Sequence, residues 1–234
     1  MHISPDTIRI WQWGSITLNA TILFTWVIMA LIVFGSWLVT RQLSAGPNLS
    51  GGQNLLEVLV LGMRDQIRQI SGQNPDPYLP FVGTLFIFIA VSNLLSIVPG
   101  YHPPTGSLST TAALAICVFV AVPLYGIRQE GLWGYLRHYF QPSVFMLPFH
   151  IIGELSRTLS LAVRLFGNVM SDTMIVAILL SVAPLFFPIP MKVLGLLTGL
   201  IQAYIFAILA IVYIASATEA QEHQQSEQRN SSHG

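Results

Sequence analysis

The chain has 234 residues, 53% of them hydrophobic and only 9% charged, and its mean hydropathy is +0.65. A soluble globular domain carries about a quarter charged residues, so that class is excluded, and several apolar runs of about 20 residues make the chain a polytopic membrane protein. Ten basic and ten acidic side chains cancel, which leaves no global field to attract nucleic acid, and the single Cys117 rules out an internal disulfide.

The N-terminal "MHISPDTIRIWQWGS" lacks the basic leader of a cleaved signal peptide, so the run after it reads as a retained span. Residues 16–39 are long enough to cross the hydrocarbon and are stopped by Arg41. After the loop "SAGPNLSGGQN", residues 54–70 differ in kind. Glu57, Arg64, Asp65 and Arg68 punctuate a Leu/Val face, which suits either a helix lying on the membrane surface or an amphipathic helix packed against the spans. Two spans follow, at 79–98 and 108–127, separated by "PGYHPPTGS", which has no Lys or Arg. A loop is expected over 128–147. Residues 149–180 form one long helical pattern, "APLFFPIPMK" breaks it, and a last apolar helix covers 191–216. The expected fold is all-α: about five membrane-crossing helices plus one amphipathic surface helix in a single membrane domain, 1–220. The tail 221–234 is polar and expected to be disordered.

With the N-terminus outside, Arg41, Arg64, Arg68, Arg128 and Arg137 fall on the cytoplasmic side, and only Arg9 and Lys192 face out. The excess of basic residues on inner loops favours N-out, C-in.

Projected at 100° per residue, His150, Glu154, Arg157, Arg164, Asn168 and Asp172 lie within about 40° of a common line. The rest of the helix is mostly aliphatic or aromatic. A guanidinium at membrane depth costs about 2.5–3.5 kcal/mol on insertion scales and cannot escape by losing its proton. Glu154 and Arg157 are spaced to pair, at i and i+3. Arg164 has no such neighbour, so it requires water access, a carboxylate on another element, or a route for its side chain to the interface. On the last helix Gln202 is either interhelical glue or a functional amide, and "GLLTG" (195–199) fits a small-xxx-small packing surface. Asn93 reads as a helix–helix contact. Metal-ligand spacings, hydrolase signatures and phosphate-binding loops are missing from the sequence, so no cofactor and no direct nucleotide binding are expected.

"GELSRTLSLAVRLFGN" (153–168), followed by "LIQAYIFAILAIVYIASATEA" (200–220), resembles the a subunit of rotary F-type ATP synthases. "FIFIAVSNLLSIVPG" and "PPTGSLSTTAALAI" resemble that family's third and fourth helices in order and spacing. The resemblance spans roughly 16–220. It implies an ion-conducting stator, not catalytic by itself, whose last two helices form a hairpin against a ring of c subunits. It also implies b-type peripheral-stalk subunits as partners and a bacterial plasma membrane, with the thylakoid as alternative. The motif arginine, Arg164, is implied to face the ring carboxylates, and Asn168, Gln202 and Glu154 to line the ion path. Many members carry a Glu/His pair where this chain has Thr173 and Gly195, and an acid where it has Ser107. Asp172, one residue before Thr173, is the acid left to serve that path, the alternative being that it only caps water-exposed backbone or pairs with Lys192 across the hairpin. These departures resemble the divergent N-type subclass of bacterial ATPases, some of which use Na⁺. A self-contained transporter or channel, with Arg164 binding an anionic substrate, is the alternative reading; inverted repeats that would favour it are not visible. An intramembrane enzyme lacks a nucleophile–base pair.

Overall fold

A computed structural model describes residues 9–13, 16–41, 51–72, 74–98, 100–140, 147–182 and 188–231. Six helices dominate: α1 (Ala20–Thr40), α2 (Gly51–Ser71), α3 (Leu79–Leu94), α4 (Leu108–Phe140), α5 (Leu147–Val182) and α6 (Pro188–Ser231). Among the described residues five segments are long and apolar enough to cross a membrane: Ala20–Thr40, Leu79–Ile97, Leu108–Arg128, Ile151–Ser181 and Ile189–Ser216. These are the five expected crossings, and α2 is the one helix left out, as its interleaved charges require.

Three boundaries differ from the sequence reading. The first span begins at Ala20, because Ile16–Asn19 (β2) pairs antiparallel with Arg9–Trp13 (β1) as a short ribbon. Two runs of bulky and β-branched residues flank Gly14-Ser15, a turn composition that competes with helix. The expected loop after residue 127 is instead helical to Phe140. It is interrupted at Gly131, whose φ of 78° and ψ of 166° are open to glycine and strained for any other residue. The expected disordered tail continues α6 as helix to Ser231; Ala, Glu, Gln and Arg are all strong helix formers, and neither Gly nor Pro interrupts them before that point.

The spans associate through small residues. Apolar burial gives no net drive between helices already in lipid, so close packing must hold them. Along α6, Ala203, Ala207 and Ala210 are all but fully buried, and Phe206 fills the space they leave. Against this face pack Leu85 and Ile89 of α3, Ala115 and Val118 of α4, and Leu161 and Leu165 of α5. A second cluster lies lower on α6, where Ile67 of α2 meets Val82, Ala121, Ile211 and Ile214. Thus α2 is the packed form of an amphipathic helix: Ile67 is 0% exposed, while Glu57, Arg64, Asp65 and Arg68 stay exposed. Arg64 pairs with Asp76 at 2.7 Å just beyond it.

The outlying α1 buries only Ala20, Thr21 and Ile28 and exposes Trp26, Val33 and Phe34, a surface suited to lipid. Its tie to the bundle includes Phe24, edge-on to Tyr101 at 5.0 Å. Tyr101 belongs to the 98–107 connection, which folds back into the helices rather than over them. Its 3-10 turn Pro104–Gly106 is buried, and Gly106 lies so close to Val169 of α5 that an added Cβ would come within 3.3 Å.

Candidate functional site

The stripe on α5 divides into two environments. Toward the N-terminal half, Arg157 is exposed but lies over the Tyr213 ring of α6, 5.7 Å from its centroid, a cation–π contact that fixes a guanidinium without a counter-ion. Glu154 is half-buried beside it, and its carbonyl accepts from the Thr158 hydroxyl at 2.9 Å. The side chain of His150 lies outside the described residues. Arg164 is exposed, and among the described residues it has neither a salt bridge nor a hydrogen bond. Its same-face neighbours one turn away are the exposed Ser160 and the half-buried Asn168, while the exposed Leu155, Leu159 and Val163 lie about 100° or more round the helix. An exposed fixed cation therefore stands on a membrane-spanning helix with no carboxylate paired to it among the described residues.

Farther along α5 the stripe turns inward. Asn168 and Asp172 are half-buried and line a polar cavity of about 170 Å³, room for several waters. Its other walls are Asn93 and Ser96 of α3, Tyr101 and His102 of the connection, and Lys192, Gly195 and Thr198 of α6. Burial pushes the Tyr101 phenol above its usual range, with the Ser92 hydroxyl offsetting part of the shift, so Tyr101 stays protonated.

The two glycines of "GLLTG" explain how polar groups fit between the helices. A Cβ on Gly195 would overlap the Asp172 carboxylate, and a Cβ on Gly199 would come within 2.9 Å of Cβ of Asn93. Each small residue is thus a notch filled by a polar side chain. The Asn93 amide donates to the Gly199 carbonyl at 2.9 Å, and its oxygen accepts from Thr105 at 3.1 Å. The Asn168 amide reaches the neighbouring Thr198 carbonyl at 3.5 Å. Two amides, from α3 and α5, therefore hold consecutive carbonyls of α6.

Gln202 follows Thr198 by one turn and is 5% exposed, and its Nε2 has no hydrogen-bond partner among the described residues. It is therefore not glue through that amide nitrogen. A buried donor left unmatched costs about 1–3 kcal/mol and is suited to a water or an incoming group. The structure brings Asn168 and Asp172 into one cavity, puts Gln202 one turn farther along α6, and leaves Arg164 outside on the exposed face. Glu154 is at the opposite end of α5. The Asn93–Thr105 pair escaped the sequence reading as part of the site, and Lys192 entered it only as a structural partner for Asp172 across the hairpin.

The fold and the site define a class: a multi-pass membrane protein with an exposed arginine, unpaired among the described residues, one turn from a polar cavity of about 170 Å³ between its helices. The sequence model of the ATP synthase A chain family matches residues 22–215. The chain is 66% identical over all 234 residues, covering both proteins in full, to "ATP synthase subunit a 2" of Acaryochloris marina. It is 60% identical over 222 residues to "ATP synthase subunit a 1" of Crocosphaera subtropica (95% of this chain and 96% of the relative), and 58% identical to "ATP synthase subunit a 1" of Chlorobaculum parvum (95% and 98%). This chain belongs to the ATP synthase A chain family, and is accordingly a non-catalytic membrane subunit of an ATP synthase complex.

Proposed function

We propose that the chain is the ion-conducting stator of that complex, with Arg164 facing the carboxylates of a rotating c-subunit ring and two offset half-channels meeting near it. The observation that carries this reading is Arg164 itself, exposed on a membrane-spanning helix with no partner among the described residues. Such a charge needs a counter-charge from outside the chain, and a ring carboxylate is the group for which a permanent cation is useful. A carboxylate crossing lipid must be neutralised by its bound ion. Facing a guanidinium, it is favoured in the ionised form and releases that ion. The same cation bars direct leakage between the two half-channels.

The cavity bounded by Asn168, Asp172 and Thr198 belongs to the outward half-channel, and Gln202 continues it along α6. Glu154, at the other end of α5, belongs to the inward one. Asp172 lies about 12 Å along α5 from Arg164 at 1.5 Å per residue. It stands in for the acid–His pair that the family resemblance leads one to expect at Thr173 and Gly195. The b-type peripheral-stalk subunits are the further partners, and the bacterial plasma membrane the location.

Two measurements test this reading. Affinity-tagged chain extracted in mild detergent is expected to co-purify with a c ring and soluble nucleotide-binding subunits. Recovery of the chain alone, still transporting in liposomes, would favour a self-contained transporter. The orientation is N-out, C-in. A cysteine placed in the 98–107 connection, in a Cys117→Ser background, should react with an impermeant maleimide from outside, and one at 128–140 only after permeabilisation. The reverse pattern would exchange the inner and outer half-channels.

A further inference from the structure

Lys192 lines the polar cavity, yet the ion path as read so far gives it no task. It precedes Gly195 by three residues, so the two share a face of α6, and the Asp172 carboxylate packs against Gly195. Lysine and aspartate thus project into one small space from adjacent helices. The two line the same cavity but form no salt bridge, and among the described residues the Asp172 carboxylate has no hydrogen-bond partner. Lys192 is exposed, at the open side of the cavity, on a flexible four-carbon stem. Its ammonium can approach or leave Asp172 without any movement of α6.

The groups facing Asp172 from every wall make this pairing stand out. From α3 come the neutral Asn93 and Ser96, from α6 the neutral Thr198, and from the connection Tyr101, held protonated by burial, and His102. Lys192 is the one lysine or arginine among them.

Resting on the stator reading above, we propose that Lys192 is a tethered counter-cation for Asp172: it occupies the vestibule in place of the transported cation and sets the external cation concentration at which Asp172 loads. An arriving cation must displace the ammonium or share the cavity with it. With an exposed, solvent-screened ammonium and an effective dielectric near 20, that competition weakens cation binding by roughly tenfold. The effect is the same in kind for a proton or Na⁺, because both add one positive charge to the same carboxylate.

The test uses the assembled complex in proteoliposomes, with ATP-driven transport followed while pH and Na⁺ are varied on the side that bathes the vestibule. In Lys192→Gln, the coupling cation should half-inhibit transport at a concentration about tenfold lower, read as about one pH unit if the ion is a proton. Lys192→Met removes the charge, keeps an apolar stem and must show the same shift, so the result does not depend on one variant assembling. Lys192→Arg should stay near the parent value. An unchanged half-inhibiting concentration in an assembled charge-removing variant overturns the counter-cation role. If Asp172→Asn nevertheless cripples transport, the half-channel reading survives that failure. If Asp172→Asn is silent as well, both fall together.

Discussion

Arg164→Ala abolishes ATP-driven ion pumping while leaving membrane insertion and co-purification with the other subunits intact. The side chain is exposed and makes no hydrogen bond or ion pair among the described residues, so its removal leaves no buried partner stranded and no hole in the helix packing. Both buried clusters lie elsewhere, built around Phe206 and Ile214 of α6. On the stator reading, what is lost is the cation that favours an ionised ring carboxylate at that depth. Holding an ion of this kind in the membrane without a counter-charge costs about 2.5–3.5 kcal/mol on insertion scales, so turnover should fall by about a hundredfold or more. Arg164→Lys should retain assembly and recover only part of the rate. An ammonium is a point charge that can lose its proton on burial, whereas the guanidinium stays charged and offers a planar fork to a carboxylate. Pumping is read as ATP-dependent quenching of a pH-sensitive dye or as ²²Na⁺ uptake in inverted vesicles. Full pumping by an assembled Arg164→Ala complex would overturn the stator assignment.

The sequence made legible the spans and the lack of a partner for Arg164 on its own helix, because both are local properties. Twenty apolar residues suffice to identify a crossing, and the neighbours of Arg164 at i±3 and i±4 suffice to show that no carboxylate on its own helix can reach it. What lies against each notch of α6 was not legible. Gly199 reads correctly as a packing residue, but the side chain filling its space, Asn93, is 106 residues away. Asp172 meets Gly195 only because α5 and α6 settle in one particular register, which no periodicity within either helix encodes. The missed ribbon and the missed helical tail have a common cause. A hydropathy window absorbed Ile16–Asn19 into the neighbouring span, and it counted the polar residues after 220 as unstructured. Polarity bears on whether a segment is buried, and the propensities of Ala, Glu and Gln bear on whether it is helical.

That register gives the largest effect expected away from Arg164. Asp172→Asn keeps side-chain size, so the amide still fits against Gly195, and the variant should assemble with its ATPase subunits. The amide cannot bind and release a proton, and it offers a metal cation one neutral oxygen in place of a charged carboxylate. If Asp172 hands ions between the outside and the ring, ATP-driven transport should fall roughly ten- to a hundredfold, within or below the range typical of losing one proton-transfer group. The remaining flux should lose the parent's dependence on external pH or Na⁺, since the group that binds the ion there is gone. A purely structural Asp172 predicts a different pattern. Removing one charge of the Asp172–Lys192 pair would then alter stability in detergent and leave the ion dependence of transport unchanged. Gly195→Ala separates the two views from the other helix: its Cβ drives the carboxylate out of the notch without changing any charge. Transport should drop in Gly195→Ala for a positional reason, while the response to external cation keeps its parental form because Asp172 and Lys192 are both still present. Unchanged transport in both Asp172→Asn and Gly195→Ala would remove this cavity from the ion path and leave Gln202, with its unmatched buried amide, as the next group to replace.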